Sequence, residues 1–373
     1  MTGEKQDEFF MRRALRLARR GERWVSPNPM VGAVIVKENR IIGEGYHRKF
    51  GEAHAEVNAL IQAGTGAEGA TIYVTLEPCC HYGKTPPCVD SLIAAKIKRV
   101  VVGTKDLNPL VSGKGISILR EAGVEVTVGI LEEACRSLNE RFFKYITSGF
   151  PFITLKYAQT IDGRIATVTG DARFISSFPA LRYAHYLRSI HDAVLVGIGT
   201  VLRDDPALTV RHIKGRNPLR VVVDTKLRIS PSAQVLKEQD KAKTIIATTS
   251  YRDQNKYSIL QERGIEILEV AENSSGSVDL KGLFSALGKR GVSSILVEGG
   301  SALITSLVKE QLFDRLVVIV APKLLGTGID ALGNLEILQI EGAIKLSFLT
   351  IKRLGNDLII DARPWPTATS GLP

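Results

Sequence analysis

The most informative stretch in the first half of the chain is Thr75-Leu76-Glu77-Pro78-Cys79, which is followed by Cys88 after eight further residues. Upstream of it stands His54-Ala55-Glu56. A catalytic zinc site needs three protein ligands and an open fourth position for water. His54, Cys79 and Cys88 supply the ligands, and Glu56 supplies a carboxylate that is not a ligand but can carry a proton. Together these parts predict a zinc-dependent deaminase.

The positions of these residues fit that chemistry. His54 and Cys88 each stand just before a predicted helix, where the helix dipole favours thiolate and hydroxide over their protonated forms. Cys80 is adjacent to Cys79 and cannot easily aim at the same ion without strain, so we interpret it as a bystander. A closed structural site that uses Cys80 or His81 is the alternative. By itself, Glu56 would be interpreted as a solvated carboxylate at a helix start.

Strands and helices alternate on both sides of this stretch. Periodicity predicts an amphipathic helix at Asp7–Arg20 and a hairpin from Met30–Val36 and Ile41–Tyr46. Further predicted strands are Thr71–Thr75, Val100–Gly103 and Glu125–Val128, and further helices are Ala55–Ala63, Val89–Ile97, Ile116–Glu121 and Glu132–Tyr145. This alternation predicts an α/β fold with a sheet covered on both faces.

A domain boundary is predicted at Thr147-Ser148-Gly149-Phe150-Pro151, where a charged helix ends in small and turn-forming residues. The domains are therefore expected to be 1–148 and 149–373. The second is also α/β. Its predicted strands are Ile153–Lys156, Ala193–Val196, Arg220–Val223, Thr244–Ala247, Ile265–Leu268, Ile295–Val297 and Leu316–Ala321, and its predicted helices are Pro179–Ile190, Leu280–Lys289 and Ser301–Lys309.

Composition narrows the function classes. The 373 residues include four cysteines, three of them clustered, which favours metal binding or catalysis over a disulfide framework. No apolar run is long enough to suggest a membrane span, so a cytoplasmic protein is expected. The net charge of +10 is spread over both halves, with 21 basic and 17 acidic residues up to Ser148. Such a distribution fits phosphorylated small substrates as well as polynucleotides.

The second half lacks the usual nucleotide-binding loops. Gly197-Ile198-Gly199 follows a predicted strand, but Leu202 stands in place of the third glycine of a dinucleotide fingerprint. Gly83-Lys84-Thr85 lacks the upstream glycine of a P-loop. Glu298-Gly299-Gly300-Ser301 lies between a strand and a helix, where backbone N–H groups can hold phosphate, although such glycine pairs are often simple turns.

The sequence motifs of both halves resemble one family, the bifunctional deaminase/reductase of riboflavin biosynthesis, over nearly the whole chain. The matching stretches of the first half are Ser26–Gly32, His54–Val57, Thr75–Cys79 and Gly83–Cys88. Those of the second half are Leu155–Ala158, Asp162–Ala166, Leu195–Val201, Asp204–Arg211, Val297–Ser301 and Ala321–Gly326.

For the first half, the resemblance implies a cytidine-deaminase-like α/β/α domain. It implies that His54, Cys79 and Cys88 hold zinc and that Glu56 is the proton shuttle. It also implies that Asn28 contacts the pyrimidine. Three further residues would line the site around the phosphoribosyl part of the substrate: His47, Lys84 and Asn108. A surface histidine and a solvated loop lysine are the alternatives for His47 and Lys84. Cys80 departs from the serine expected at its position.

For the second half, the resemblance implies a dihydrofolate-reductase-like α/β domain that uses NADPH. The implied cofactor-binding residues are Ala158, Phe174, Thr200, Asp204, Thr225, Gly300, Ser301, Ala302, Leu303, Ile304, Thr305 and Ser306. The implied substrate-binding residues are Lys156, Ala172, Arg188, Leu208, Arg211 and Glu298. Guanidinium groups at Arg188 and Arg211 suit a phosphate, whereas a solvated helix face is the alternative for Arg188. Phe174 and Ser176 replace a usual tryptophan and threonine.

The expected function is zinc-dependent hydrolytic deamination of a phosphoribosylaminopyrimidine, followed by NADPH-dependent reduction of its ribosyl group to ribityl. The expected partners are phosphorylated pyrimidines and a second copy of the chain, without nucleic acid or membrane. One alternative is a nucleic-acid base deaminase whose second half is a non-catalytic binding module without a cofactor. Another is a non-catalytic nucleic-acid-binding protein with a structural zinc, which would have no use for the carboxylate of Glu56.

Overall fold

The structure is a computed structural model that describes residues 3–83 and 86–365. These residues form two compact units, one that ends at Gly149 and one that begins at Phe150. Each unit has its own buried apolar clusters. Among the helices of the described ranges, none has both the length and the apolar composition needed to cross a membrane.

The first unit is a five-stranded sheet with helices on both faces. Its strands, in the spatial order β2-β1-β3-β4-β5, are β1 (Gly32–Lys37), β2 (Arg40–Tyr46), β3 (Thr71–Leu76), β4 (Arg99–Thr104) and β5 (Glu125–Val128). Its helices are α1 (Gly3–Ala18), α2 (Ala55–Ala63), α3 (Cys88–Ala94), α4 (Lys114–Glu121), α5 (Glu132–Leu138) and α6 (Glu140–Ser148). The predicted hairpin is confirmed, since β1 and β2 pair antiparallel.

Alternate side chains of β3 are buried in two different apolar clusters, one on each face of the sheet. Ile72 and Val74 are buried with side chains of α2 and α3 on one face. Tyr73 points the other way and packs with Phe10 of α1. This period of two is what a sheet covered on both faces requires.

The helix α2, which begins directly after His54, sits very close to strand β2. A Cβ atom at Gly45 of β2 would collide with the backbone carbonyl of Ala55, the first residue of α2. Only glycine permits this approach. The close contact therefore helps to fix the start of α2.

The second unit is built on a nine-stranded sheet in the order β11-β10-β9-β8-β12-β6-β13-β16-β15. Its strands are β6 (Phe152–Thr160), β8 (Ala193–Gly197), β9 (Leu219–Val223), β10 (Thr244–Thr248), β11 (Glu266–Glu269), β12 (Ser294–Glu298), β13 (Arg315–Ala321), β15 (Leu346–Leu354) and β16 (Asp357–Pro364), while β7 (Arg164–Thr167) pairs separately with β14 (Gly328–Asp330). Its helices are α7 (Phe178–Ile190), α8 (Ile198–Asp204), α9 (Gln254–Glu262), α10 (Leu280–Lys289) and α11 (Ser301–Lys309). All strands from β11 to β13 in this order run parallel, and β16 and β15 are antiparallel additions.

The structure differs from the predicted elements in three ways. The single helix expected at 132–145 is broken at Asn139, whose side chain bonds to both backbone groups of Met30. The strands β7, β14, β15 and β16 were not predicted, and the first three of them show no clean alternation of buried and exposed residues. The helices α8 and α9 were also missed.

Candidate active sites

The first site is a cluster of one imidazole and two thiols. The ligand atoms of His54, Cys79 and Cys88 all lie within 4.8 Å of one another. His54 Nδ1 is 3.5 Å from Cys79 Sγ and 3.3 Å from Cys88 Sγ. This donor set fits a zinc ion, which accepts nitrogen and sulfur ligands in a compact tetrahedron.

The elements of the sheet bring these three ligands together. His54 is the residue before α2, Cys88 is the first residue of α3, and Cys79 follows β3. The backbone N–H of Cys88 donates to Cys79 Sγ at 3.3 Å. The two helix starts and this N–H group stabilise negative charge on the sulfur atoms.

The two thiols differ in their protonation. Hydrogen bonds from Cys88 and His54 lower the pKa of Cys79 to about 4. The same hydrogen bond to Cys79, together with burial, raises the pKa of Cys88. Negative charge is therefore stabilised more on Cys79 than on Cys88.

Glu56 lies in the first turn of α2 with its side chain buried. Burial raises the pKa of Glu56 to about 7, and the charge of Cys79 adds to this effect while His54 opposes it. A carboxyl group with such a pKa can both accept and release a proton near neutral pH.

A cavity of about 260 Å³ opens beside the ligand cluster. Asn28 and His47 lie on its wall, with Asn28 Nδ2 3.2 Å from His47 Nε2. His47 is buried, not a surface residue, and burial lowers its pKa. Asn108 also lines the cavity, whereas Lys84 lies outside the described residues.

Cys80 and His81 are placed apart from the ligand cluster. Cys80 Sγ contacts the carbonyl oxygen of Leu110 at 3.9 Å, and burial raises its pKa. His81 lines the cavity. Among the residues that the structure describes, the only group of metal-ligating side chains contains neither of them.

Some cavity residues were missed by sequence reasoning. None of these residues was assigned a role from the sequence, although Glu77 lies within the stretch Thr75–Cys79: Phe50, Glu77, Asp106, Phe142, Tyr145 and Ile146. Three of them belong to α6, whose apolar stripe has the period of any amphipathic helix. For Glu77, its place between the strand β3 and Pro78-Cys79 was the one available signal.

The second site lies at the carboxyl ends of the parallel strands of the second unit. Thr200 follows β8, Thr225 follows β9, and Gly300 follows β12. Ala158 is the third residue from the carboxyl end of β6, the strand that pairs with β12. Ligands of open parallel sheets bind at this edge.

A buried ion cluster lies at the same edge. Glu298, at the end of β12, is the register partner of Lys156 on β6, and the Lys156 Nζ atom is 3.5 Å from Glu298 Oε2. Arg188 of α7 donates from Nε to Oε1 at 2.6 Å and from Nη2 to Oε2 at 2.9 Å. Burial alone would raise the pKa of Glu298, but Arg188 and Lys156 lower it to about 2.

This cluster changes the interpretation of the two arginines. Arg188 also donates from Nη1 to the carbonyl of Thr209, so its guanidinium is engaged within the protein and does not lie on a solvated face. Arg211 is exposed and donates from Nη1 to Thr209 Oγ1 at 3.1 Å. Its backbone N–H donates to the buried ring of His185. Arg211 is thus the more accessible of the two cations.

The turn Gly299-Gly300 precedes α11 and has positive φ angles of 91° and 79°, which favour glycine. Both residues approach the side chain of Thr200. The first backbone N–H groups of a helix have no hydrogen-bond partner within the helix. At the start of α11, the N–H groups of Ser301, Ala302 and Leu303 are therefore donors that can bind a phosphate group. Ile304 differs, because its side chain is buried and its N–H already donates to Gly300.

The remaining predicted residues vary in exposure. Phe174 is 81% exposed and has a positive φ, and its carbonyl accepts from Lys323 Nζ at 2.6 Å. Leu208 is buried and also has a positive φ. Asp204 is exposed, and Ala172 and Thr225 are half-buried. Thr305 and Ser306 donate their hydroxyl groups back to carbonyls of α11.

Two family models match the two units of the chain. Residues 4–104 match the cytidine and deoxycytidylate deaminase zinc-binding region, and residues 151–360 match the RibD C-terminal domain. The riboflavin biosynthesis protein RibD of Aquifex aeolicus (strain VF5) is 47% identical over 355 residues, which cover 95% of this chain and 97% of that protein.

Solved structures show the same similarity over both units. RibD from Acinetobacter baumannii has a TM-score of 0.88 at 38% identity, covering 97% of this chain and all of that one. A diaminohydroxyphosphoribosylaminopyrimidine deaminase/5-amino-6-(5-phosphoribosylamino)uracil reductase from Thermotoga maritima has a TM-score of 0.85 at 38% identity, covering 97% and 99%. The chain therefore belongs to the RibD family of bifunctional deaminase/reductase enzymes of riboflavin biosynthesis, which use zinc and NADPH.

Proposed function

We propose that the first unit hydrolyses the amino group of a diaminohydroxyphosphoribosylaminopyrimidine, and that the second unit reduces the ribosyl group of the product to ribityl. The observation that carries the first step is the convergence of three metal-ligating atoms beside a buried carboxylate and a cavity. The T. maritima relative is described by the same pair of reactions. We assign the two steps to residues 1–148 and 149–373.

In the first step, His54, Cys79 and Cys88 would hold zinc, which when bound would supply the Lewis acid that activates water. Glu56 accepts a proton from the attacking water and returns it to the amino group that leaves as ammonia. Asn28 contacts the pyrimidine, and His47, Lys84 and Asn108 contact the phosphoribosyl part. Asn28 and His47 already share a wall of the cavity, 3.2 Å apart.

In the second step, NADPH when bound would supply the hydride, and the residues of the second unit orient the sugar carbon that receives it. The backbone at the start of α11 and the side chain of Thr200 bind the cofactor, together with Ala158, Phe174, Asp204 and Thr225. The pair Lys156 and Glu298 faces the sugar, and Arg211 binds the phosphate. Arg188 supports this wall by holding Glu298 in place, with Ala172 and Leu208 beside the substrate.

The test follows both products with the zinc-loaded full chain. We expect ammonia release from the diaminopyrimidine in a single turnover without NADPH, and oxidation of NADPH only after that release. Oxidation of NADPH by the substrate that still carries its amino group would contradict the assigned order. A chain that releases no ammonia would contradict the proposed function of the first unit. A homo-oligomeric assembly and a cytoplasmic location stay predictions.

A further inference from the structure

Glu77 is a buried carboxylate that the chemistry above does not use. It directly follows strand β3 and precedes Pro78-Cys79, and only 3% of its surface is exposed. Its Oε2 atom accepts from the backbone N–H groups of Asp106 at 3.2 Å and Gly113 at 2.9 Å. Its Oε1 atom accepts from the N–H of Ile116 at 3.2 Å. Three backbone donors thus stabilise its charge.

These donors belong to the loop 105–113 and to the start of α4. The loop holds its own shape through Asp106 Oδ1, which accepts from the N–H of Asn108 at 2.8 Å, and through Asn108 Oδ1, which accepts from the N–H of Leu110 at 3.1 Å. Asp106, Asn108 and Val111 line the cavity. The loop therefore forms one wall of the deaminase site.

The start of α4 also packs directly on the segment that carries Cys79. A Cβ atom at Gly115 would collide with the carbonyl of Pro78 and come within 3.3 Å of Glu77 Oε1. Gly113, which donates to Glu77, has a φ of 84°, where glycine is favoured. The sequence thus keeps two glycines where the loop and the metal-ligand segment meet.

We propose that Glu77 is a positioning residue for deamination, which sets the loop 105–113 at a fixed distance from Cys79 and so places Asn108 against the substrate. The inference rests on the proposed function of this site. In the proposed site Asn108 contacts the phosphoribosyl part of the substrate, so the binding geometry depends on the distance between this loop and the segment that carries Cys79. A loop that moves away weakens binding in the ground state and the transition state alike, which raises KM more than it changes kcat. Glu77 connects the two walls whose separation decides that geometry.

A glutamine cannot replace Glu77 in this role. The carboxylate accepts on both oxygen atoms, whereas the amide has one oxygen and one NH2 group, which would face a backbone donor. Glu77→Gln keeps the size of the side chain but loses at least one of the three bonds. The loop should then move away from the substrate, while the zinc ligands stay in place.

The experiment measures four quantities on the full chain with Glu77→Gln. We expect an increase of tenfold or more in KM for ammonia release, a smaller change in kcat, full zinc content, and unchanged NADPH-dependent reduction of the deaminated substrate. Glu121→Gln, which changes an exposed carboxylate of α4, is the matched control and should match the wild type. Unchanged KM, or loss of zinc, in Glu77→Gln would overturn the inference.

A double-mutant cycle with Asn108→Ala separates positioning from general stability. If Glu77 acts through the loop, the two substitutions are non-additive, and the double variant has nearly the KM of Asn108→Ala alone. Additive effects would contradict the inference. If Glu77→Gln lowers the yield of folded protein, Glu77→Asp, which keeps the charge but shortens the reach, takes its place with the same expected split between KM and kcat. Failure of the wild type to release ammonia would instead contradict the proposed function.

Discussion

Two buried glutamates, Glu56 and Glu298, have pKa values that are shifted in opposite directions. Burial raises the pKa of Glu56 to about 7, so that this group can exchange a proton near neutral pH. Glu298 is buried as well, but Arg188 and Lys156 lower its pKa to about 2, so that it stays charged. The difference lies in the neighbours, since Glu56 faces a thiolate and Glu298 faces two cations.

The ligand set is tested by replacing each clustered cysteine with serine. We expect Cys79→Ser and Cys88→Ser to lose zinc, because their sulfur atoms converge on His54 Nδ1. Cys80→Ser should keep close to full zinc content, because its sulfur contacts the carbonyl of Leu110 instead. Metal analysis of the purified variants decides this, and equal loss of zinc in all three would indicate a closed structural site.

Arg211 is tested by Arg211→Ala in the reduction step. Losing a charge-assisted bond to phosphate costs about 1.5–3 kcal/mol, so KM for the deaminated substrate should rise by about tenfold to a hundredfold. The affinity for NADPH should stay unchanged. Arg182→Ala, on an exposed position of α7, serves as the control. Weaker NADPH binding with unchanged KM would place Arg211 in the cofactor site.

At the scale of elements, the break between α5 and α6 links the end of the first unit to its active site. Asn139 accepts from the N–H of Met30 at 2.8 Å and donates to the carbonyl of Met30 at 2.9 Å. The segment that ends at Met30 carries Asn28, and α6 supplies Phe142 and Tyr145 to the cavity. The position of α6 is therefore part of the construction of the site.

This link is tested by Asn139→Ala. The substitution leaves two backbone groups of Met30 without partners, at a cost of about 1–3 kcal/mol for each group that stays buried. We expect the thermal unfolding transition of the first unit to shift to lower temperature and KM for ammonia release to rise. Asn255→Ala, at an exposed position of α9, should change neither. An unchanged transition would show that water replaces both bonds.

The same break shows what sequence patterns could and could not provide. Local periodicity was sufficient for the hairpin of β1 and β2 and for the parallel strands, because their burial follows a simple rule. The helix break at Asn139 depends on Met30, which is remote in sequence, and periodicity contains no such information. The ligand cluster could be predicted because its chemistry demands particular residues, whereas Phe142 and Glu77 serve by shape and backbone contacts alone.

At the scale of the whole molecule, each unit has the means to fold by itself. The second unit has its own nine-stranded sheet and its own buried clusters. We therefore expect residues 150–373, expressed alone, to fold and to bind NADPH. Titration of the isolated unit with NADPH and with NADH measures this. Failure to fold would contradict its independence, and equal affinity for both cofactors would contradict selectivity for the phosphorylated form.

The most direct test of the two-site account is Glu56→Gln in the full chain, with both reactions and the zinc content measured on one preparation. Ammonia release should fall by about 10²–10⁴-fold, because a positioned general acid–base contributes that much. Zinc content should stay full, and reduction of the deaminated substrate by NADPH should stay unchanged. Loss of zinc together with deamination would show that Glu56 is a metal ligand, and loss of both reactions would contradict the separation of the two sites.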